Sequence, residues 1–220
     1  MGAKYRSVFD IIGPVMIGPS SSHTAGAVKI GRAAYKLFSA RITKVTVHYY
    51  ESFAKTHRGH GTDYAIAAGI LGFLPDDQRV PDAISIAEDR GIDIRFVEED
   101  GPSPIHHPNT AVLEVSNNQK AISLTACSIG GGAIEIRQMV IDQITVKPAG
   151  PLPIIVYVDY GKKHPNAVEL TSYIDQVAPF SRKQSLKGDV DDIYEYDIKN
   201  YMTEETIKDI QAKFNHVICL

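Results

Sequence analysis

GPSSSHTAGAVKIGRAAYKLF, residues 18–38, joins two kinds of sequence at one point. Gly18-Pro19 and the hydroxyl run behind it form a turn that no regular element tolerates well. From His23 onward the pattern changes. Ala27, Ile30, Ala34, Leu37 and Phe38 recur at helical spacing, so a helix is expected there, with Ser21 or Ser22 as its N-cap. Gly26 and Gly31 leave room for close packing on one side. The first turn of such a helix carries unpaired N–H groups and a partial positive charge, and so attracts anions. Ser20, Ser21, Ser22 and Thr24 add hydroxyl donors. His23 sits in the same positive field, which opposes its protonation and leaves a neutral imidazole with one donor and one acceptor. A carboxylate or a phosphate suits that surrounding; a plain capped helix after a polar turn accounts for the same letters.

Upstream, residues 5–12 form a short apolar segment ending at Gly13-Pro14. Downstream, Lys44–Phe53 alternates Val45, Val47 and Tyr49 with Thr46, His48 and Tyr50, a strand pattern. The loop AKTHRGHGTD follows, with Thr62 or Asp63 capping a helix YAIAAGILGF. A third helix, PDAISIAEDRG, enters at Pro81 and leaves at Gly91. Ile92–Glu98 alternates again. AVLEVS and KAISLTACSI flank Asn117-Asn118-Gln119 as a hairpin, and Gly130-Gly131-Gly132 precedes AIEIRQMV and DQITV.

Three prolines and a glycine in Lys147–Pro153 break regular structure and read as a linker. The expected division is 1–147, a linker at 148–152, and 153–220. The last part orders as strand, helix, strand, strand, helix, strand, a ferredoxin-like split unit. The fold class is α+β.

The composition narrows the function. At 220 residues, 44% of them hydrophobic, the chain can bury a substantial core, and a net charge of -3 gives no reason to expect nucleic acid or an anionic membrane as partner. MGAKYRSVFDIIG lacks the apolar core of a secretory signal, Arg6 stands where a myristoylation motif wants Ser or Thr, and no apolar run is long enough to span a bilayer. A cytoplasmic protein is expected. The two cysteines, Cys127 and Cys219, read as free buried thiols rather than a disulfide, and are too few to hold an iron–sulfur cluster.

Two further loops carry imidazoles. In HRGHGTDYA, residues 57–65, His60 lies between Gly59 and Gly61 before a helix start. Flanking glycines leave the ring open, and an open histidine is a natural general base. A surface loop is the alternative reading, Asp63 reads as a helix cap, and His57 with His60 would make an H-x-x-H metal pair lacking a nearby third ligand. In IHHPNT, residues 105–110, Pro108 holds His107 extended and Asn109 offers a donor and an acceptor; an ordinary turn explains these letters too.

SVFDIIGPVMIGPSSSHTAGAVKIGRAA, GHGTD, HPNTA and SIGGGAIEI, in that order, resemble the beta chain of bacterial iron–sulfur-dependent L-serine dehydratase (L-serine ammonia-lyase) over residues 4–146. The resemblance implies an allosteric-substrate-binding-type first domain with a mixed sheet and helices. It implies an ACT-like second domain, although Asp159–Asn166 departs from the turn such a domain uses. It also implies an alpha-subunit partner carrying a [4Fe-4S] cluster that this chain does not ligate, with L-serine as substrate and a homodimer of beta chains as a further possibility. By the same resemblance His60 is the catalytic base. Ser20, Ser21, Ser22, His23 and Thr24 hold the substrate carboxylate, and His107 and Asn109 orient the substrate or the departing hydroxyl. No metal is expected on this chain. The competing classes are a non-catalytic amino-acid-sensing subunit, which the same anion-binding loops would serve, and a histidine-ligated metal hydrolase acting alone.

Overall fold

The structure, a computed structural model, describes residues 15–162 and 166–220. The apolar segment read at 5–12 lies outside them. The fold is α+β, with one mixed and one antiparallel sheet, and the described residues fall in two compact units divided after Glu135.

In the first unit, α1 (Gly26–Phe38) leads to β1 (Lys44–Tyr50), α2 (Glu51–Thr56), α3 (Thr62–Ile70), α4 (Ala83–Asp89), β2 (Asp93–Glu99), β3 (Thr110–Ser116) and β4 (Ala121–Gly130). β1 pairs parallel with β2 (Val47 opposite Phe96) and antiparallel with β3 (Val47 opposite Leu113). The parallel pair follows from what lies between: a return in the same direction needs a crossover, here three helices. The hairpin expected around Asn117 forms, Ser116 pairing with Ala121 and the Asn117 carboxamide oxygen accepting from the Gln119 and Lys120 N–H groups. Val45, Val47 and Tyr49 all face the core, as their alternation predicts.

The strand predicted to run to Phe53 stops at Tyr50. Glu51 takes a left-handed conformation (φ 48°) and the chain turns straight into α2. Apolar alternation carries on to Phe53, but that side chain is buried from a helix instead.

α1 packs along α3, and the crossing is close because two glycines meet in it. A Cβ on Gly31 would lie 2.3 Å from the Ile66 carbonyl oxygen, and one on Gly69 2.2 Å from that of Val28. The room expected at Gly31 is therefore used, with Gly69 as its partner. Gly26 packs on Ser128, where a Cβ would come within 2.3 Å of the hydroxyl oxygen.

The second unit carries most of β5 (Ala133–Ile141), then β6 (Ile144–Val146), β7 (Ile154–Asp159), α5 (Asn166–Val177), β8 (Phe180–Lys187), β9 (Asp192–Ile198), α6 (Glu204–Lys213) and β10 (Val217–Cys219). The last four strands form a sheet in the order β10-β7-β9-β8, antiparallel throughout. Its core joins Ile155, Tyr157 and Tyr196 to Leu170 and Ile174 of α5 and Ile210 of α6. Thr203 caps α6, accepting from the Thr206 N–H at 3.1 Å. The proline-rich segment is tied to this sheet. The Lys147 carbonyl accepts from Gln184 at 2.8 Å, and the Ala149 N–H donates to Asp197 at 3.2 Å.

Candidate active site

The hydroxyl run enters α1 through a five-residue π turn, Ser21–Ala25. Its cap is Ser20, earlier than the Ser21 or Ser22 expected. Ser20 is extended, and its Oγ accepts from the His23 backbone N–H at 3.2 Å. The wider turn moves the cap back by a residue or two, and π turns of this kind gather at functional sites. The same Oγ lies 3.4 Å from His23 Nδ1 and so biases the ring's orientation.

His60 arrives from the loop between α2 and α3. Its backbone N–H donates to the Thr56 carbonyl at 3.0 Å, and its own carbonyl accepts from Thr24 Oγ1 at 3.4 Å. The two histidine loops are thus hydrogen-bonded, and their rings meet. The His23 and His60 centroids lie 4.8 Å apart, edge to face, and the Phe53 ring lies 5.1 Å from that of His23. His60 is exposed and His23 half-buried. Burial first, and the neighbouring His60 second, push the His23 imidazole below its ordinary range. A neutral His23 was expected from the helix field; burial is the larger cause.

Gly61, not Thr62 or Asp63, begins α3. Its φ of 70° suits glycine, and a Cβ there would fall 2.1 Å from the Tyr64 ring. Asp63 is free of the cap role because it pairs with His57 Nδ1 at 2.7 Å, while His57 Nε2 meets Glu98 at 2.9 Å. Both ring nitrogens of His57 are engaged, so the H-x-x-H metal pair does not form.

The third loop is joined to α2 and β4 by hydrogen bonds. The Pro108 carbonyl accepts from the Ser52 and Phe53 N–H groups at 2.9 and 3.2 Å, and the Phe53 ring is the one that lies against His23. Asn109 exchanges bonds with Ser128, its carbonyl accepting at 3.0 Å and its carboxamide donating at 3.4 Å. Ser128 in turn abuts Gly26 at the start of α1. His107 accepts from the Asn109 N–H at Nδ1, 3.2 Å, which places the hydrogen of a neutral ring on Nε2.

Sequence reading missed what fixes this loop. Buried Ser103 accepts from the Ile105 and His107 N–H groups and donates to Thr110, whose hydroxyl donates to the His107 carbonyl at 2.6 Å. Glu51 accepts from the Ser103 N–H at 3.1 Å. Ser103 lies between two prolines, a turn signal that could have marked it.

Three polar atoms on these elements, His23 Nε2, Thr62 Oγ1 and Ser128 Oγ, are buried with no hydrogen-bond partner among the described residues. Buried polar groups are nearly always satisfied; the Tyr49 hydroxyl and, in the second unit, Asp192 Oδ1 and Glu195 Oε1 share this state. A cleft of about 330 Å³ opens between α2 and the end of β2, lined by Glu51, Lys55, Glu98, Glu99 and Asp100. Its acidity is wrong for a carboxylate.

An α+β unit that brings imidazoles and hydroxyls to helix starts is equipped to hold a small anion and move a proton beside it. The sequence model of the serine dehydratase beta chain matches residues 7–93. The probable L-serine dehydratase beta chain of Bacillus subtilis (strain 168) is 51% identical over 156 residues, covering 71% of this chain and 70% of that one. The L-serine dehydratase beta chain of Peptoniphilus asaccharolyticus is 42% identical over 132 residues, 59% of each chain. L-serine dehydratase 2 of Escherichia coli (strain K12) is 32% identical over 150 residues, and only 33% of its length is spanned. The chain belongs to the L-serine dehydratase beta chain family.

Proposed function

We propose that this chain is the beta subunit of an L-serine ammonia-lyase, works with an alpha subunit, and supplies the groups that hold L-serine and take its Cα proton. The observation that carries the reading is the ring contact of His23 and His60 at the start of two helices, 4.8 Å between centroids.

The carboxylate of serine sits on the π turn, held by Ser20, Ser21, Ser22 and Thr24 with the neutral His23 as donor. His107 and Asn109 orient the rest of the substrate. Exposed His60 removes the Cα proton and, as imidazolium, gives it to the β-hydroxyl, which departs as water, and the resulting enamine tautomerises and hydrolyses to pyruvate and ammonia. Cys127 and Cys219 are buried thiols, two where a cluster usually takes three or four, so this chain does not fit a [4Fe-4S] cluster as its ligand set. The cluster belongs to the alpha subunit, where it would supply Lewis acidity.

Residues 153–220 are an ACT-like, ferredoxin-like module behind a linker at 148–152; the strand order β10-β7-β9-β8 supports this. A cytoplasmic location fits an enzyme of amino-acid degradation, and no helix among the described residues is long and apolar enough to cross a membrane.

The test is His60→Ala in the chain reconstituted with its alpha partner under anaerobic conditions, with pyruvate as readout. A loss of about a hundredfold or more in kcat is expected, the worth of a general base. A loss of only two- to threefold, or altered activation with turnover intact, overturns the assignment in favour of an amino-acid-sensing subunit.

A further inference from the structure

Resting on the reading of His60 as base, the geometry points to His57, clamped between Asp63 and Glu98, as the positioning residue that sets where His60 stands. His57 is only 3% exposed, and its two ring nitrogens meet carboxylates from two different elements, Asp63 in the first turn of α3 at 2.7 Å and Glu98 near the end of β2 at 2.9 Å. Each contact needs one hydrogen, on the ring nitrogen or on the carboxyl it faces. The side chain therefore fastens α3 to the edge strand.

The backbone of His57 closes the loop as well. Its N–H donates to the Phe53 carbonyl at 2.9 Å, and its carbonyl accepts from the Thr62 N–H at 2.9 Å. These bonds bracket residues 58–61, and His60 is carried between them. The surroundings hold the clamp in place. Tyr49, fully buried, lies against the His57 ring at 4.9 Å, and its hydroxyl is pushed well above its ordinary range by burial and by the charge of Asp63. Arg58 reaches Glu98 at 3.0 Å from the solvent side. The hydrogen bond from His57, aided by Arg58, holds the Glu98 carboxyl below its usual range, so it stays a strong acceptor.

His57 has no need to touch substrate. Removing its anchor lets the loop drift and carries the His60 ring off its contact with His23. A misplacement of about 1 Å costs up to a hundredfold in rate. The turn at 20–24 is held by its own cap in Ser20 as well as by the long 3.4 Å bond from Thr24 to the His60 carbonyl, so the loss falls mainly on kcat.

Glu98 is half-exposed, which makes it the safest handle, since the fold does not bury it. The experiment measures Glu98→Ala and Glu98→Gln in the assembled enzyme, and histidine-ring NMR on the labelled full chain. Glu98→Ala is expected to lower kcat by about tenfold or more with KM for L-serine within about twofold, and to lose the nuclear Overhauser contact between the His23 and His60 rings. Glu98→Gln, whose carboxamide can accept from or donate to Nε2, is expected to restore both. An Ala variant that keeps kcat and the ring contact overturns the proposal, as does a Gln variant no better than Ala. The NMR readout is independent of turnover, so a failure of His60 as base shows in the His60→Ala kinetics while the clamp is judged on the ring contact.

Discussion

Gly69→Ala is the substitution that puts most of this structure at stake. A methyl group at Gly69 would stand 2.2 Å from the Val28 oxygen, 2.6 Å from the Arg32 nitrogen and 2.7 Å from the Gly31 Cα. All three are backbone atoms of α1, and ordinary contact begins near 3.4 Å. No side chain can rotate away, so α1 and α3 must part by about 1 Å. Overpacking of this kind costs about 1–3 kcal/mol, from which the better helix propensity of alanine takes back up to about 1 kcal/mol. The larger effect is on function. These two helices carry His23 and His60 at their starts, and a parting of about 1 Å acts directly on a ring contact whose value in rate is up to a hundredfold. The assay is pyruvate formation by the co-expressed pair, read beside a thermal melt. Gly150→Ala serves as control, because a Cβ there meets open space. A Gly69→Ala enzyme with wild-type melting and wild-type kcat would refute the reasoning, since the helix crossing would then not set the site.

Further predictions follow from single groups. Ser20→Ala removes the side-chain acceptor for the His23 N–H, and is expected to cost about 1 kcal/mol in a denaturant titration, the usual worth of an N-cap, and to raise KM. Glu195, fully buried, is pushed from 4.5 up to about 7 by burial and by the nearby Asp197 charge, against a hydrogen bond from Gln184. The folded chain thus keeps a proton that the unfolded chain releases, so stability falls as pH rises between these values, by up to about 3 kcal/mol. Glu195→Gln should flatten that slope and be the more stable chain above neutrality; an unchanged slope in urea titrations across this range would place the proton elsewhere.

Much of this was legible because it is local. The helix at 26–38 followed from five apolar positions, β1 from its alternation, the hairpin at Asn117 from its turn residues, and the order of the second unit from periodicity and Pro-Gly punctuation. What was missed is non-local. Gly31 announced close packing, but nothing near it in sequence named Gly69. His57 was read against His60, three residues away, while its partners are Asp63 and, from another element, Glu98. α2 hid because Phe53 prolongs the strand's alternation, and only the Pro108 carbonyl, which takes the N–H groups of Ser52 and Phe53, shows why the chain turns there. The site followed the same rule. Each loop was visible, but the bonds that tie them, Thr24 to the His60 carbonyl and Asn109 to Ser128, join residues far apart in sequence.

The most direct test of the account is a crystal structure of the assembled enzyme with L-alanine, which keeps the carboxylate and amino group of serine and lacks the hydroxyl that leaves. The account predicts the carboxylate on the Ser21–Ala25 turn, within hydrogen-bond distance of His23 Nε2, with His60 facing Cα. A ligand bound only to the second unit, or with its carboxylate away from both imidazoles, would contradict it.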